Sequence, residues 1–276
     1  MNWIIRNNII PLETPLVMGI LNVTPDSFYD GGKYVQTDAA CNAAMQMEKD
    51  GANIIDIGGE SSRPGSKPVS AKEELQRVIP AIRKITAAIK LPVAIDTQKA
   101  EVALEAIKAG ASIVNDISAM SDPAMASVVS KNGAGIILMH KHGEPETMQN
   151  KPLVKENVLE NVIDFLKSRV EYAISSGIKE EQIVIDPGIG FGKTYSANEL
   201  LINNIDKLKS LGFPVLIGAS RKRFIGEITG RKSEQRLAGS IAVHVISYLR
   251  GAIIFRTHDV KETVDALKVA EAIFNN

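Results

Sequence analysis

The sequence predicts a (β/α)8 TIM barrel formed as a single domain over residues 1–276, and three observations carry that prediction. Eight short apolar runs rich in Val and Ile recur without strict alternation, the pattern of strands buried on both faces. Helical stretches separate most of them, so strand and helix alternate along the chain. Each run ends abruptly at a polar residue: Asn22, Asp56, Asp96, Asn115, His140, Asp186, Ser220 and Arg256. In a barrel the carboxyl ends of the parallel strands open on one mouth, where barrel enzymes keep their active sites.

Taken in order, residues 1–15 hold Trp3, Ile4, Ile5, Ile9 and Ile10 ahead of the first run and predict a hairpin capping the barrel bottom. VMGIL before Asn22 is the first barrel strand, followed by a long turn over 24–32 and a helix over Asp38–Lys49. NIIDI through Asp56 is the second, with a long turn over 58–66 and a helix over Ala71–Ile89. Both turns mix Gly, Pro, Ser and charge, a composition that resists packing and suits lids. PVAI before Asp96, SIV before Asn115 and GIILM before His140 follow, with helices over Ala100–Lys108 and Val154–Ser175. QIVI before Asp186 leads to a helix over Ala197–Leu208, PVLIGA before Ser220 to one over Ser233–Arg250, and AIIF before Arg256 completes the ring.

Composition excludes several classes. A chain of 276 residues reaches the length of two domains, but barrels use about 250 residues as one. Hydrophobic residues at 45% and a formal net charge of zero leave no electrostatic basis for nucleic acid or an anionic membrane. The longest apolar stretches are strand-sized, short of the ~20 residues of a membrane span. The amino terminus lacks a signal peptide's basic start and cleavage pattern, so a cytoplasmic location is expected. Cys41 is the single cysteine and is read as a buried structural thiol.

Two tempting motifs fail on spacing. Gly192-Lys193-Thr194 follows a strand, but a P-loop needs Gly at position 187, which is Pro. The glycines there are read instead as letting a flat ligand approach the backbone, with Asp186 as a buried acceptor. His140 and His142 resemble a barrel hydrolase's metal pair, yet only His244 and His258 remain, and His244 lies on an apolar helix face.

The strand-end residues sort by charge. Asp96, Asn115 and Asp186 make a wall of acceptors and one amide, suited to a heterocycle presenting several N–H donors on one edge. Arg221, Lys222, Arg223, Arg256 and His258 follow the seventh and eighth runs, where barrels often bind phosphate, and Asn22 and Arg63 are placed to add to that site.

These residues resemble the dihydropteroate synthases, folate-pathway transferases of the pterin-binding barrel superfamily. The likeness runs through Gly19 to Phe28, Asp56 to Gly65, Asp96 to Lys99, Asn115-Asp116, Asp186 to Lys193, Ser220 to Lys222 and Arg256 to Asp259, nearly the whole chain. It implies condensation of 6-hydroxymethyl-7,8-dihydropterin pyrophosphate with p-aminobenzoate. It further implies that Asp96, Asn115, Asp186 and Lys222 hold the pterin, and that Ser62, Arg63, Arg256, Thr257 and His258 complete the pterin pyrophosphate site. Asn22 is then a ligand of a Mg2+ held mostly by phosphate oxygens and water. Phe28, Ser62, Pro64, Phe191 and Ser220 form the p-aminobenzoate pocket, and Asp30, Asp96, Asp186 and Lys222 act in catalysis. The resemblance also implies a homodimer through the later helices.

Some positions depart from the family's commonest pattern: Ser62 stands where Thr is frequent, Tyr29 and Arg223 where small Ser is expected, Ala119 where Gly is usual, and Thr257 where Val is common. None removes a ligand group. Two other readings share the acceptor wall. A pterin-dependent methyltransferase would need neither the Ser-Ser-Arg-Pro-Gly turn nor Lys222 and the Arg256/His258 pair, and a non-catalytic pterin-binding paralogue would lose turn residues first.

Overall fold

A computed structural model of the chain describes residues 1–6, 8–24, 33–61, 65–144 and 146–274. The chain opens on an antiparallel hairpin of β1 (Asn2–Ile5) and β2 (Asn8–Pro11), as the apolar amino terminus predicted. The barrel strands follow: β3 (Leu16–Asn22), β4 (Ile54–Gly58), β5 (Val93–Asp96), β6 (Ile113–Asp116), β7 (Gly135–Met139), β8 (Ile183–Asp186), β9 (Leu216–Ile217) and β10 (Ile254–Thr257). They pair in parallel in the order β8-β7-β6-β5-β4-β3-β10-β9, and a parallel bridge from Ile185 to Val215 brings β8 back to the β9 edge, closing the ring.

The helices are α1 (Lys33–Lys49), α2 (Ala71–Ala88), α3 (Ala100–Lys108), α4 (Met125–Asn132), α5 (Lys155–Ser175), α6 (Tyr195–Asn203), α7 (Ile205–Lys209), α8 (Arg223–Thr229), α9 (Leu237–Leu249) and α10 (Val260–Phe274). The predicted helix over Ala197–Leu208 divides at Asn204, whose φ of −121° and ψ of 32° leave the helical region. The short α4 and α8 carry too few turns for a periodicity to declare them. Among the described residues no helix is long and apolar enough to cross a membrane.

Side chains of a strand alternate between the barrel interior and the helix layer. Met18, Ile54, Ala94, Ile113, Ile137, Val184, Leu216 and Ile254, one from each barrel strand, form an interior apolar ring with Trp3, Ile5, Leu12 and Leu16 beneath them. Trp3 is fully buried and its indole N–H donates to Gln182 O at 2.9 Å, so the hairpin plugs the bottom. Gly135 makes room for that plug: a methyl there would lie 2.5 Å from Ile5 Cγ2. Residues of the opposite phase, such as Ile55, Ile95, Val114, Leu138, Ile185 and Phe255, pack outward under the helices.

Candidate active site

Two residues beyond the apolar ring, the same inward phase brings Ile20, Asp56, Asp96, Asn115, Met139, Asp186, Gly218 and Arg256 to the mouth. The apolar floor and the polar ring above it are thus one alternation read at successive steps. Phase also explains the exceptions. His140, Asp116 and Thr257 each fall one residue out of step and face the helix layer.

The buried charges are compensated within the ring. Arg256 Nε donates to Asp56 Oδ2 at 2.6 Å, its Nη2 to Asp96 Oδ2 at 2.7 Å, and Asn115 Nδ2 to Asp56 Oδ2 at 3.1 Å. Asp56 is fully buried, and its Oδ1 has no hydrogen-bond partner among the described residues. Arg256, expected at the pyrophosphate, lines the mouth and is also the counter-ion of two carboxylates, and Asp56 joins the site without having been assigned to it. Its strand-end place in the sequence was the available signal.

Asp186 Oδ1 accepts from Gly188 N at 2.7 Å, and a methyl on Gly218 would stand 4.0 Å from both Asp186 Oδ2 and Arg256 Cδ, so the residue after β9 separates the two charged groups with a bare backbone. Burial pushes the Asp186 carboxyl up to about 6 against the hydrogen bond from Gly188 and the charge of Lys222. Burial likewise pushes Asp96 up to about 7, with Arg256 pulling the other way. Lys222 is pushed down to about 8 by burial and by Arg256, and its ammonium lies 3.9 Å over the Phe191 ring.

The glycine turn after β8 is packed closely on its neighbour. Gly188 has φ +67°, and a Cβ there would fall 1.8 Å from His140 O; at Gly192 it would fall 2.0 Å from His142 O. The missing side chains let this turn pack on the backbone of the turn after β7, and Gly190 faces the Lys222 stem. Lys193 fastens the two turns: buried, it donates to Gly188 O at 2.9 Å, Phe191 O at 3.1 Å and His140 Nδ1 at 2.9 Å. His140 stacks edge-on against Phe165 and is held neutral, burial pushing it down to about 3. His142, two residues on, is exposed.

At the outer end, Ser220 Oγ lies 3.1 Å from His258 Nδ1 and accepts from His258 N at 3.2 Å, so the residue expected against p-aminobenzoate touches the one expected against pyrophosphate. Arg221, at φ +56°, turns between Ser220 and Lys222 and pairs with Asp259. Thr257 does not reach the mouth: fully buried, its hydroxyl accepts from Asp259 N at 3.1 Å and bonds Thr263. A cavity of about 550 Å3 opens here, walled by Asn22, Asp96, Ser220, Lys222, Arg256 and His258 among others. Asn22 Oδ1 and Asp96 Oδ2 flank Gly58 at its rim. Phe28, Asp30, Ser62, Arg63 and Pro64 lie outside the described residues. Among the described residues no group of three or more His, Cys, Asp or Glu is placed to hold a metal ion.

Comparison with known proteins adds an independent line. The sequence profile of the family described as "Pterin binding enzyme" matches residues 18–258. The chain is 47% identical over 264 residues to the dihydropteroate synthase of Bacillus subtilis, covering 95% of this chain and 90% of that protein. Among solved structures, Xanthomonas albilineans dihydropteroate synthase with 4-aminobenzoic acid superposes with a TM-score of 0.93 at 42% identity over 100% of both chains. A Yersinia pestis dihydropteroate synthase in a sulfonamide drug complex gives 0.94 at 39% identity, again over 100% of both chains.

Proposed function

The chain belongs to the pterin-binding enzyme family and is a transferase with dihydropteroate synthase activity, and we propose that its barrel mouth divides the reaction between a deep pterin floor and an outer anion end. The observation that carries the assignment is that Asp96 lines one cavity with Lys222, Ser220 and His258, while Asn115 and Asp186 end their strands at the same inward step as Asp96. Ionised Asp96 and Asp186 accept the N–H groups along the pterin edge, and Asn115, held by Asp56, supplies amide contacts. Lys222 covers the pterin from the Phe191 side.

The diphosphate then lies toward His258, with Arg63 added from the turn after β4. Asn22 would hold a Mg2+ that neutralises charge on the leaving diphosphate. The methylene C–O bond breaks with its electron pair leaving on the diphosphate, and the electron-rich dihydropterin spreads the positive charge left behind. The p-aminobenzoate amine, seated near Phe191 and Ser220 with Phe28, Ser62 and Pro64, attacks the methylene carbon, forms the C–N bond and releases one proton. Asp96 and Asp186, joined by Asp30, favour the cationic pterin; that preorganised charge is the chain's main catalytic contribution. No bond from substrate to protein is required.

The same reading includes a homodimer. Ile246 and Leu249 on α9 and Val269 and Ile273 on α10 are apolar side chains at least 45% exposed on two helices that pack together. Purified protein incubated with the pterin pyrophosphate, p-aminobenzoate and Mg2+ should yield dihydropteroate and pyrophosphate. Consumption of neither substrate would overturn the assignment.

A further inference from the structure

A junction beside the mouth carries charged groups for which the reaction has no use. Lys99 immediately precedes α3, three residues after Asp96 in the chain; its ammonium pairs with Glu60 and lies 2.6 Å from Glu74 Oε2. Glu60 belongs to the turn after β4, and its other oxygen accepts from Val69 N at 3.2 Å, so one side chain grips both limbs of that turn. Arg77 of α2 donates to Gly59 O at 2.7 Å, and Ser66 Oγ donates to Ser61 O at 2.5 Å. Glu74 is fully buried, with Oε1 unpartnered among the described residues. Gly59 is pressed on it: a methyl there would lie 3.1 Å from Glu74 Cγ and 2.6 Å from Val78 Cγ1.

Buried ion pairs of this kind add little stability over an apolar replacement, because desolvation offsets the attraction. Their retention here is better explained by placement. Ser61, the residue after Glu60, lines the mouth cavity together with Asn22, Ser220 and His258.

We propose that the Lys99–Glu60 pair, braced on Glu74, is a clamp that fixes the base of the turn after β4 and so sets the anion end of the cavity for the pyrophosphorylated substrate. Both are positioning residues and touch no substrate. The inference rests on the reading of the mouth as a diphosphate site. It differs from that reading in what it demands of residues outside the cavity.

Glu60→Ala cuts the turn from the clamp while leaving Lys99 on Glu74. The KM for the pterin pyrophosphate should rise, and calorimetric affinity for free pyrophosphate should fall, by between about ten- and a hundredfold, the scale on which a displaced positioning group acts. Affinity for a bare pterin, and kcat at saturation, should stay at the wild-type level. Glu60→Gln, which keeps the acceptor oxygen and the shape, should stay close to the wild type, and so should Lys99→Arg, which keeps the cation. Unchanged KM and pyrophosphate affinity in Glu60→Ala would overturn the clamp, as would a parallel loss of bare pterin affinity, which would mark the junction as part of the general fold. If Glu60→Ala does not fold, the same pair of titrations on Lys99→Arg against Lys99→Gln decides: equal affinities for pyrophosphate overturn the proposal. A wild-type protein that forms no dihydropteroate would instead overturn the functional reading, so the two failures are distinguishable.

Discussion

Arg256 and Asp56, two hundred positions apart in the chain, meet at 2.6 Å on the floor of the mouth, and the same guanidinium reaches Asp96 at 2.7 Å. One cation therefore holds two buried carboxylates in place before any ligand arrives. Its removal leaves Asp56, fully buried, without its cation.

Arg256→Ala should accordingly weaken binding of a bare pterin as well as of pyrophosphate, and should cost about 3–5 kcal/mol of stability, the penalty of breaking a buried pair from one side. His258→Ala, at the outer end, should weaken pyrophosphate and leave the bare pterin untouched. Calorimetry of both ligands with both variants gives the comparison; a bare-pterin affinity unaffected by Arg256→Ala would mean that Asp56 and Asp96 do not depend on it.

Asp186→Asn should separate function from stability. Losing two hydrogen bonds to a charged acceptor, at roughly 1.5–3 kcal/mol each, weakens pterin binding by at least about a hundredfold. The carboxyl sits at about 6, above the ordinary carboxylate value of 3.8, so the native state retains a proton that the unfolded chain has already lost between those pH values. The stabilisation is full below that window and gone above it. The free wild-type protein should lose on the order of 3 kcal/mol from this group as pH rises from 4 to 7, and Asp186→Asn should flatten that slope. Chemical denaturation across pH would show it; identical slopes would mean the carboxyl is not burdened by its burial.

Pterin affinity in the wild type should move in the opposite sense. Asp96 at about 7 and Asp186 at about 6 must be ionised to accept N–H donors, so binding should strengthen as pH rises from 5 to 8 and then level. A pH-independent affinity would leave these carboxylates without the assigned role.

Gly188→Ala places a methyl 1.8 Å from His140 O at φ +67°. The turn must shift away from the turn after β7, taking with it Phe191 and the Lys222 ammonium above its ring. We expect a loss of both stability and pterin affinity, whereas Gly212→Ala, also at positive φ but with open space around it, should lose a little stability alone. Equal behaviour of the two variants would show that backbone conformation, and not the packing of the two turns, is what Gly188 serves.

Trp3 is the only tryptophan and is fully buried beneath the apolar ring, so its fluorescence reports the bottom plug directly. Trp3→Ala should destabilise by about 3–5 kcal/mol while leaving substrate affinities intact, since the plug and the mouth lie at opposite ends of the barrel. A change in pterin affinity at full folding would contradict that separation.

The sequence by itself determined the architecture and the composition of the floor. Runs of Val and Ile ending at Asp96, Asn115 and Asp186 are read without coordinates, because a strand buried on both faces needs continuous apolar residues and a barrel needs its polar groups at the strand ends. What it left open is phase and pairing. His140 and Asp56 both end apolar runs, yet only tertiary structure sets one facing Phe165 and the other under Arg256, since strand boundaries shift by a residue and a shift of one reverses the face. Thr257 follows Arg256 directly and is turned away for the same reason. The partners of Arg256 and Lys99 were equally illegible: ion pairs between elements depend on how the barrel assembles, and residues 160 or 200 positions apart meet only once it has closed.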